Sequence, residues 1–88
     1  MFMIHRTEEA VSPLRETWER AESEMRDAII HASARIDQTL GNKPHEQGES
    51  RGGKVRILLE APVGVLFEVD KSRGLVRILR SWAWNMTG

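Results

Sequence analysis

The apolar residues of this 88-residue chain change their period once along its length, and that change limits the folds open to it. Up to Leu40 they recur every three or four positions; from Val55 onward they alternate in twos. The first spacing puts one apolar stripe on a helix, and the second puts one apolar face on a strand. Residues 41–54, Gly-Asn-Lys-Pro-His-Glu-Gln-Gly-Glu-Ser-Arg-Gly-Gly-Lys, divide the two regimes. They are polar and glycine-rich, and their length hints at more than a plain connection. Helices in one block and strands in another predict an α+β domain, and the chain length allows one such domain over residues 1–88.

The first block reads in more detail. Phe2 and Ile4 alternate with Met3 and His5, which predicts a short N-terminal strand. Ser12-Pro13 can open the first helix, since serine caps and proline at the first helical position loses no needed hydrogen bond. An earlier start capped by Thr7, with Glu8 and Glu9 in the first turn, stays open; Pro13 would then kink or interrupt the helix. Val11, Leu14, Trp18 and Ala21 form its stripe. Ser23 can cap a second helix, whose stripe is Met25, Ile29, Ala32, Ile36 and Leu40; Gly41-Asn42 and Pro44 stop it. The short break at residues 21–23 favours an antiparallel helical hairpin, with both helices inside residues 7–41.

Three strands follow within residues 55–82: Val55–Ala61, Val63–Asp70 and Leu75–Trp82. Asp70-Lys-Ser-Arg-Gly74 is a hairpin turn between the last two. Simple alternation puts Val55, Ile57, Leu59, Val63, Val65, Phe67, Val69, Val76 and Ile78 on the face that covers the helices. The other face then carries Arg56, Leu58, Glu60, Gly64, Leu66, Glu68, Leu75, Arg77 and Leu79. A leucine on every strand of an otherwise charged face suggests a protein-binding surface of Leu58, Leu66 and Leu79, edged by Trp82 or Trp84. Scattered surface leucines are the plainer alternative, and core packing is the plainer alternative for Trp82, which shares parity with Val76 and Ile78.

Composition narrows the chemistry. There is no cysteine, hence no disulfide and no thiolate ligand, and His5, His31 and His45 lack ligand spacing. Neither a metal nor a cofactor is expected. A domain this small has marginal stability, and a partner subunit, a second copy included, is a common remedy. No apolar run reaches the roughly 18 residues of a membrane span, and the N-terminus lacks a signal-peptide core, so a cytoplasmic protein without membrane contact is expected. Net charge is zero, but residues 1–50 hold six basic against ten acidic side chains and residues 51–88 hold seven against three. That balance argues against strong nonspecific nucleic-acid binding, while a local basic face stays open. No serine has a recognisable nucleophile context. Glu60 and Glu68 on neighbouring strands read more simply as exposed glutamates than as an acid/base pair.

The order of elements, with Ala34–Leu40, Asn42-Lys-Pro44 through Gly48, Val55–Asp70 and Leu75–Trp82, resembles the RelE/ParE superfamily of type II toxin–antitoxin toxins. The resemblance covers nearly the whole chain and rests on the order and spacing of these stretches. It implies a toxin, of the kind tied to plasmid stabilisation, neutralised by a cognate antitoxin that wraps around it. ParE-like members act on DNA gyrase, and RelE-like members cut messenger RNA on the ribosome. The nucleases use arginine and lysine for phosphate charge, with a tyrosine or histidine near the C-terminus. Here Arg56, Arg77 and Arg80 stand as target- or phosphate-facing groups, but Gly64 occupies a position that is often arginine in the nucleases. The last strand ends Ser81-Trp-Ala-Trp84, without an acid/base group. The resemblance therefore implies ParE-like target binding first, with a RelE-like ribonuclease or a non-toxic binding module as the alternatives.

Overall fold

The computed structural model describes residues 1–84. The chain runs β1 (Met3–Arg6), α1 (Glu8–Arg20), α2 (Ser23–Leu40), a 3₁₀ turn at Pro44–Glu46, β2 (Glu49–Ser50), β3 (Val55–Glu60), β4 (Val63–Asp70) and β5 (Leu75–Ala83). The five strands form one mixed sheet in the order β1-β5-β4-β3-β2, antiparallel except that β1 lies parallel to β5. Two helices cover one side of it, as expected of the α+β class.

Local signals set the helix ends. Thr7 caps α1, its hydroxyl accepting from the Ala10 N–H at 3.2 Å, so the earlier of the two starts is the one used. Pro13 therefore lies inside the helix rather than at its first position, and α1 continues through it to Arg20. Ser23 is the first residue of α2 and makes no cap; Glu22 holds that place, without a side-chain bond. Arg26 closes the far end of α1 from the neighbouring helix. It donates to the Trp18 and Glu19 carbonyls at 3.0 and 2.7 Å, with its guanidinium 4.5 Å from the Trp18 ring centre. That contact satisfies carbonyls which a helix leaves without partners, and adds a cation–π term.

The helical stripe meets the sheet as its periodicity predicts. Ile29, Ala32, Ile36 and Leu40 are buried with Ala10 against Val63, Val65, Phe67, Val76 and Ile78, while Leu14, Trp18 and Met25 pack on the margin. The flanking strands depart from simple alternation in two places. Glu60 pairs with Val63 across a two-residue Ala61-Pro62 connection, so each even residue of β3 opposes an odd residue of β4. Leu58 pairs with Val65 and packs on the core, whereas Ile57 pairs with Leu66 on the other face. The faces expected for β3 are thus exchanged: Arg56, Leu58 and Glu60 face the helices, and Val55, Ile57 and Leu59 face away.

The second departure is a bulge in β5. Phe67 pairs with Ile78 but Leu66 with Arg80, which leaves Leu79 as the extra residue. A bulge of one residue reverses the facing of everything beyond it. Val76 and Ile78 stay in the core, Ser81 and Ala83 join the core side, and Arg80 and Trp82 turn outward. Core packing of Trp82 on the parity of Val76 is therefore corrected.

Candidate functional site

The sheet face away from the helices collects apolar groups that alternation alone would have put inside. Ile57 and Leu66 are cross-strand partners, and Leu59, Gly64 and Trp82 line up across three strands. Leu59 is 60% exposed, a large fraction for an aliphatic side chain in a sheet. Gly64 is what lets Trp82 lie down. A Cβ at Gly64 would stand 2.5, 2.6 and 2.8 Å from the Cε2, Cζ2 and Nε1 atoms of the indole. Any other residue there would lift the ring off the sheet. The leucine set expected on this face is corrected in membership: Leu66 lies on it, Leu58 packs on the core, and Leu79 is the bulge residue. Ile57, Leu59 and Trp82 complete it.

The three candidate arginines separate. Arg77 sits on this outer face and donates to Glu68 at 2.8 Å, so a carboxylate on the next strand largely neutralises it. Arg80 is exposed on the same face, and its guanidinium donates to the Leu79 carbonyl at 2.8 Å. Arg56 lies on the helix side, where Nε donates to the Gln47 carbonyl at 2.6 Å and Nη2 to the Gly48 carbonyl at 3.0 Å. It acts as a clamp that folds the loop of residues 43–50 against β3. Gly48 is needed for that close approach: its φ of +67° suits glycine, and a Cβ there would run into the Ile57 carbonyl. Arg56 and Arg77 therefore never share a surface, because the Ala61-Pro62 connection exchanges the faces of β3.

The remaining candidates also separate. Glu60 accepts from Arg35 of α2 at 2.9 Å, on the opposite side of the sheet from Glu68, so the two glutamates form no pair. Trp84, 37% exposed, hydrogen-bonds through its backbone N–H to the Pro62 carbonyl at 3.0 Å. With Met25, Ala28 and Ala83 it lines a groove of about 760 Å³ at the tip of the helical hairpin, rimmed by Glu16, Arg20, Glu22 and Glu24. Trp82 and Trp84 thus serve different surfaces. Among the described residues no group of histidine, aspartate and glutamate is placed to hold a metal ion, and no helix is long and apolar enough to cross a membrane. The loop brings His45 against Phe2, ring centres 6.3 Å apart, and beside Arg56.

No protein-family model and no curated protein matches this sequence. Solved structures do. The chromosomal ParDE toxin–antitoxin system from P. aeruginosa is similar at a TM-score of 0.71 and 20% identity, over 97% of this chain and 98% of that one. The RelBE2 toxin–antitoxin complex from Mycobacterium tuberculosis gives 0.67 and 13%, over 94% and 91%. The isolated E. coli RelE toxin gives 0.63 and 12%, over 97% and 86%. At such identities the likeness is one of architecture, and it extends from β1 to the end of β5: this chain has the RelE/ParE toxin fold.

Proposed function

We propose that this protein is the toxin of a type II toxin–antitoxin pair, acting in the cytoplasm by binding a macromolecular target in the ParE manner and neutralised by a cognate antitoxin. The supporting observation is the outer sheet face, where Trp82 over Gly64 adjoins Ile57, Leu59 and Leu66. A flat apolar surface with a tryptophan at its centre and charge at its margin suits protein recognition, since one indole buries much area and keeps a polar N–H. The same face carries few groups able to move a proton. Attack by a 2′-hydroxyl needs a proton acceptor and a proton donor beside the phosphate, each contributing roughly 10²–10⁴-fold. The outer strands offer Arg77 tied to Glu68, Arg80, whose guanidinium does not deprotonate near neutral pH, and a single histidine among the described residues, His5, which pairs with Arg77 across β1 and β5. Solved neighbours that are toxin–antitoxin assemblies add support for an antitoxin partner.

Inducing the protein alone in bacteria tests the reading. Growth arrest with intact messenger RNA and altered DNA supercoiling, relieved by co-expressing the product of an adjacent short reading frame, is the expected result. Codon-positioned cuts seen by primer extension would replace it with the RelE-like ribonuclease. Normal growth would leave a binding module built on the toxin fold. Light scattering on the purified protein shows whether a second copy occupies the apolar face; Trp82→Ala should abolish any such self-association.

A further inference from the structure

At the end of the sheet remote from the tryptophans, the loop, β3 and the β4–β5 turn enclose an opening of about 370 Å³ on the helix side. Its wall carries Lys54, Arg56 and Lys71 with His45, against a single carboxylate, Asp70. Five arginines of the molecule are matched to acids: Arg6 with Asp37, Arg35 with Glu60, Arg51 with Glu49, Arg73 with Asp70 and Arg77 with Glu68. Lys54, Arg56 and Lys71 have no such partner among the described residues. Asp70 feels the Lys54 charge but offsets the three only in part, because its Oδ1 already accepts from the Ser72 hydroxyl at 2.7 Å and the Arg73 N–H at 3.2 Å. Its other oxygen lies 3.6 Å from the Arg73 guanidinium.

Two further observations point to a ligand rather than to solvated charge. Arg56 is held rigid through Nε and Nη2 by the Gln47 and Gly48 carbonyls, which leaves Nη1 as a fixed donor without an acceptor. His45 has its Nδ1 buried with no hydrogen-bond partner, although the ring lines the same opening. A guanidinium held by two carbonyls, with two ammonium groups on residues lining the same opening, matches a doubly charged tetrahedral oxyanion, which accepts several charge-assisted hydrogen bonds at once. The volume exceeds that of a bare ion and lies at the lower end for small-molecule sites. We propose that this opening binds a phosphate monoester, with Lys54, Arg56 and Lys71 holding the phosphate and the His45 side receiving the organic portion.

The test is a two-dimensional amide NMR titration of the full chain with inorganic phosphate and, separately, with adenosine monophosphate. Saturable shifts at Gly53, Lys54 and Lys71 are expected with both. With the nucleotide, additional shifts at His45 and Val69 are expected if the organic part is held, and their absence would overturn that half of the proposal. Lys54→Gln/Lys71→Gln, two exposed positions whose change leaves the fold intact by circular dichroism, should weaken binding by about tenfold. Arg15→Gln, an exposed cation on α1, should not. Shifts spread over all basic residues, or binding equally strong in the double variant, would reduce the site to ordinary surface charge and refute it.

Discussion

Replacing Gly64 by alanine tests the bulge, the register and the outer face together. In a strand interior, glycine costs roughly 0.5–1 kcal/mol relative to alanine. With the indole absent, the change should therefore stabilise the protein. With Trp82 present, the new Cβ would stand 2.5–2.8 Å from three ring atoms, closer than carbon atoms tolerate. Overpacking of this kind costs about 1–3 kcal/mol, bounded above because the ring can swing outward and give up its contact with the sheet. Gly64→Ala alone should thus destabilise by about 1–2 kcal/mol, and Gly64→Ala in a Trp82→Ala background should stabilise by about 0.5–1 kcal/mol. The coupling between the two positions comes to about 1.5–3 kcal/mol, at the upper end for residues in contact. For a domain of this size that corresponds to melting-temperature changes of roughly 4–8 °C per kcal/mol. Urea unfolding followed by far-ultraviolet circular dichroism measures all four proteins without relying on tryptophan emission. If alanine at 64 has the same effect in both backgrounds, Trp82 does not lie on Gly64, and the reversal of facing beyond Leu79 is wrong.

Phe67 is fully buried, and Phe67→Ala should cost about 3–5 kcal/mol, enough to unfold so small a domain at 37 °C; a native-like thermal transition would refute the core assignment. Arg56→Ala should cost about 1–3 kcal/mol by freeing the Gln47 and Gly48 carbonyls, with faster hydrogen exchange confined to residues 43–54. Arg77→Ala, which breaks a partly exposed ion pair, should cost less than about 1 kcal/mol; equal losses would contradict the different roles of the two arginines. The Ser72 hydroxyl, then the Arg73 N–H and the Arg73 and Lys54 charges, hold the Asp70 carboxyl below its ordinary value of 3.8. A carboxyl depressed by folding stabilises above its unfolded value and loses that contribution as pH falls through the folded one. Asp70→Asn should flatten that acid limb below about pH 4 and lower stability at pH 7; an unaltered acid limb would show that the turn contributes nothing.

Most of the architecture is legible in the residues, and the reasons for the rest are specific. The helical stripe from Leu14 to Leu40 and the alternation of Val63, Val65 and Phe67 match the helix and strand periods, and the structure buries the same residues or packs them on the core. In β3, by contrast, Ile57, Leu58 and Leu59 are all apolar, so either set of alternate residues can face the core. The choice falls to a connection whose length differs by one residue according to whether Ala61 ends the strand or begins the turn. Leu79 likewise continues an apolar run without any glycine or turn residue to mark a bulge, yet it turns Trp82 outward. The candidate site inherits both ambiguities, since a surface is defined by facing and one residue of register reverses it. Arg56 moved to the other side for that reason alone, and the opening beside His45 came into view only once the loop was closed over it.

The parallel pairing of β1 with β5 has a consequence for how the protein is made. The strand nearest the N-terminus finds its only neighbour in the last strand of the chain, and β5 also supplies one side of β4. While the polypeptide emerges from the ribosome, α1 and α2 present their apolar stripe with half of the sheet that covers it still unmade. Contacts of such long sequence separation must wait for the whole chain and slow the final ordering step. A chain cut short before Leu75 therefore lacks the strand that joins β1 to β4. For a protein proposed to arrest its own host, this delay would leave a neutralising partner time to fold first.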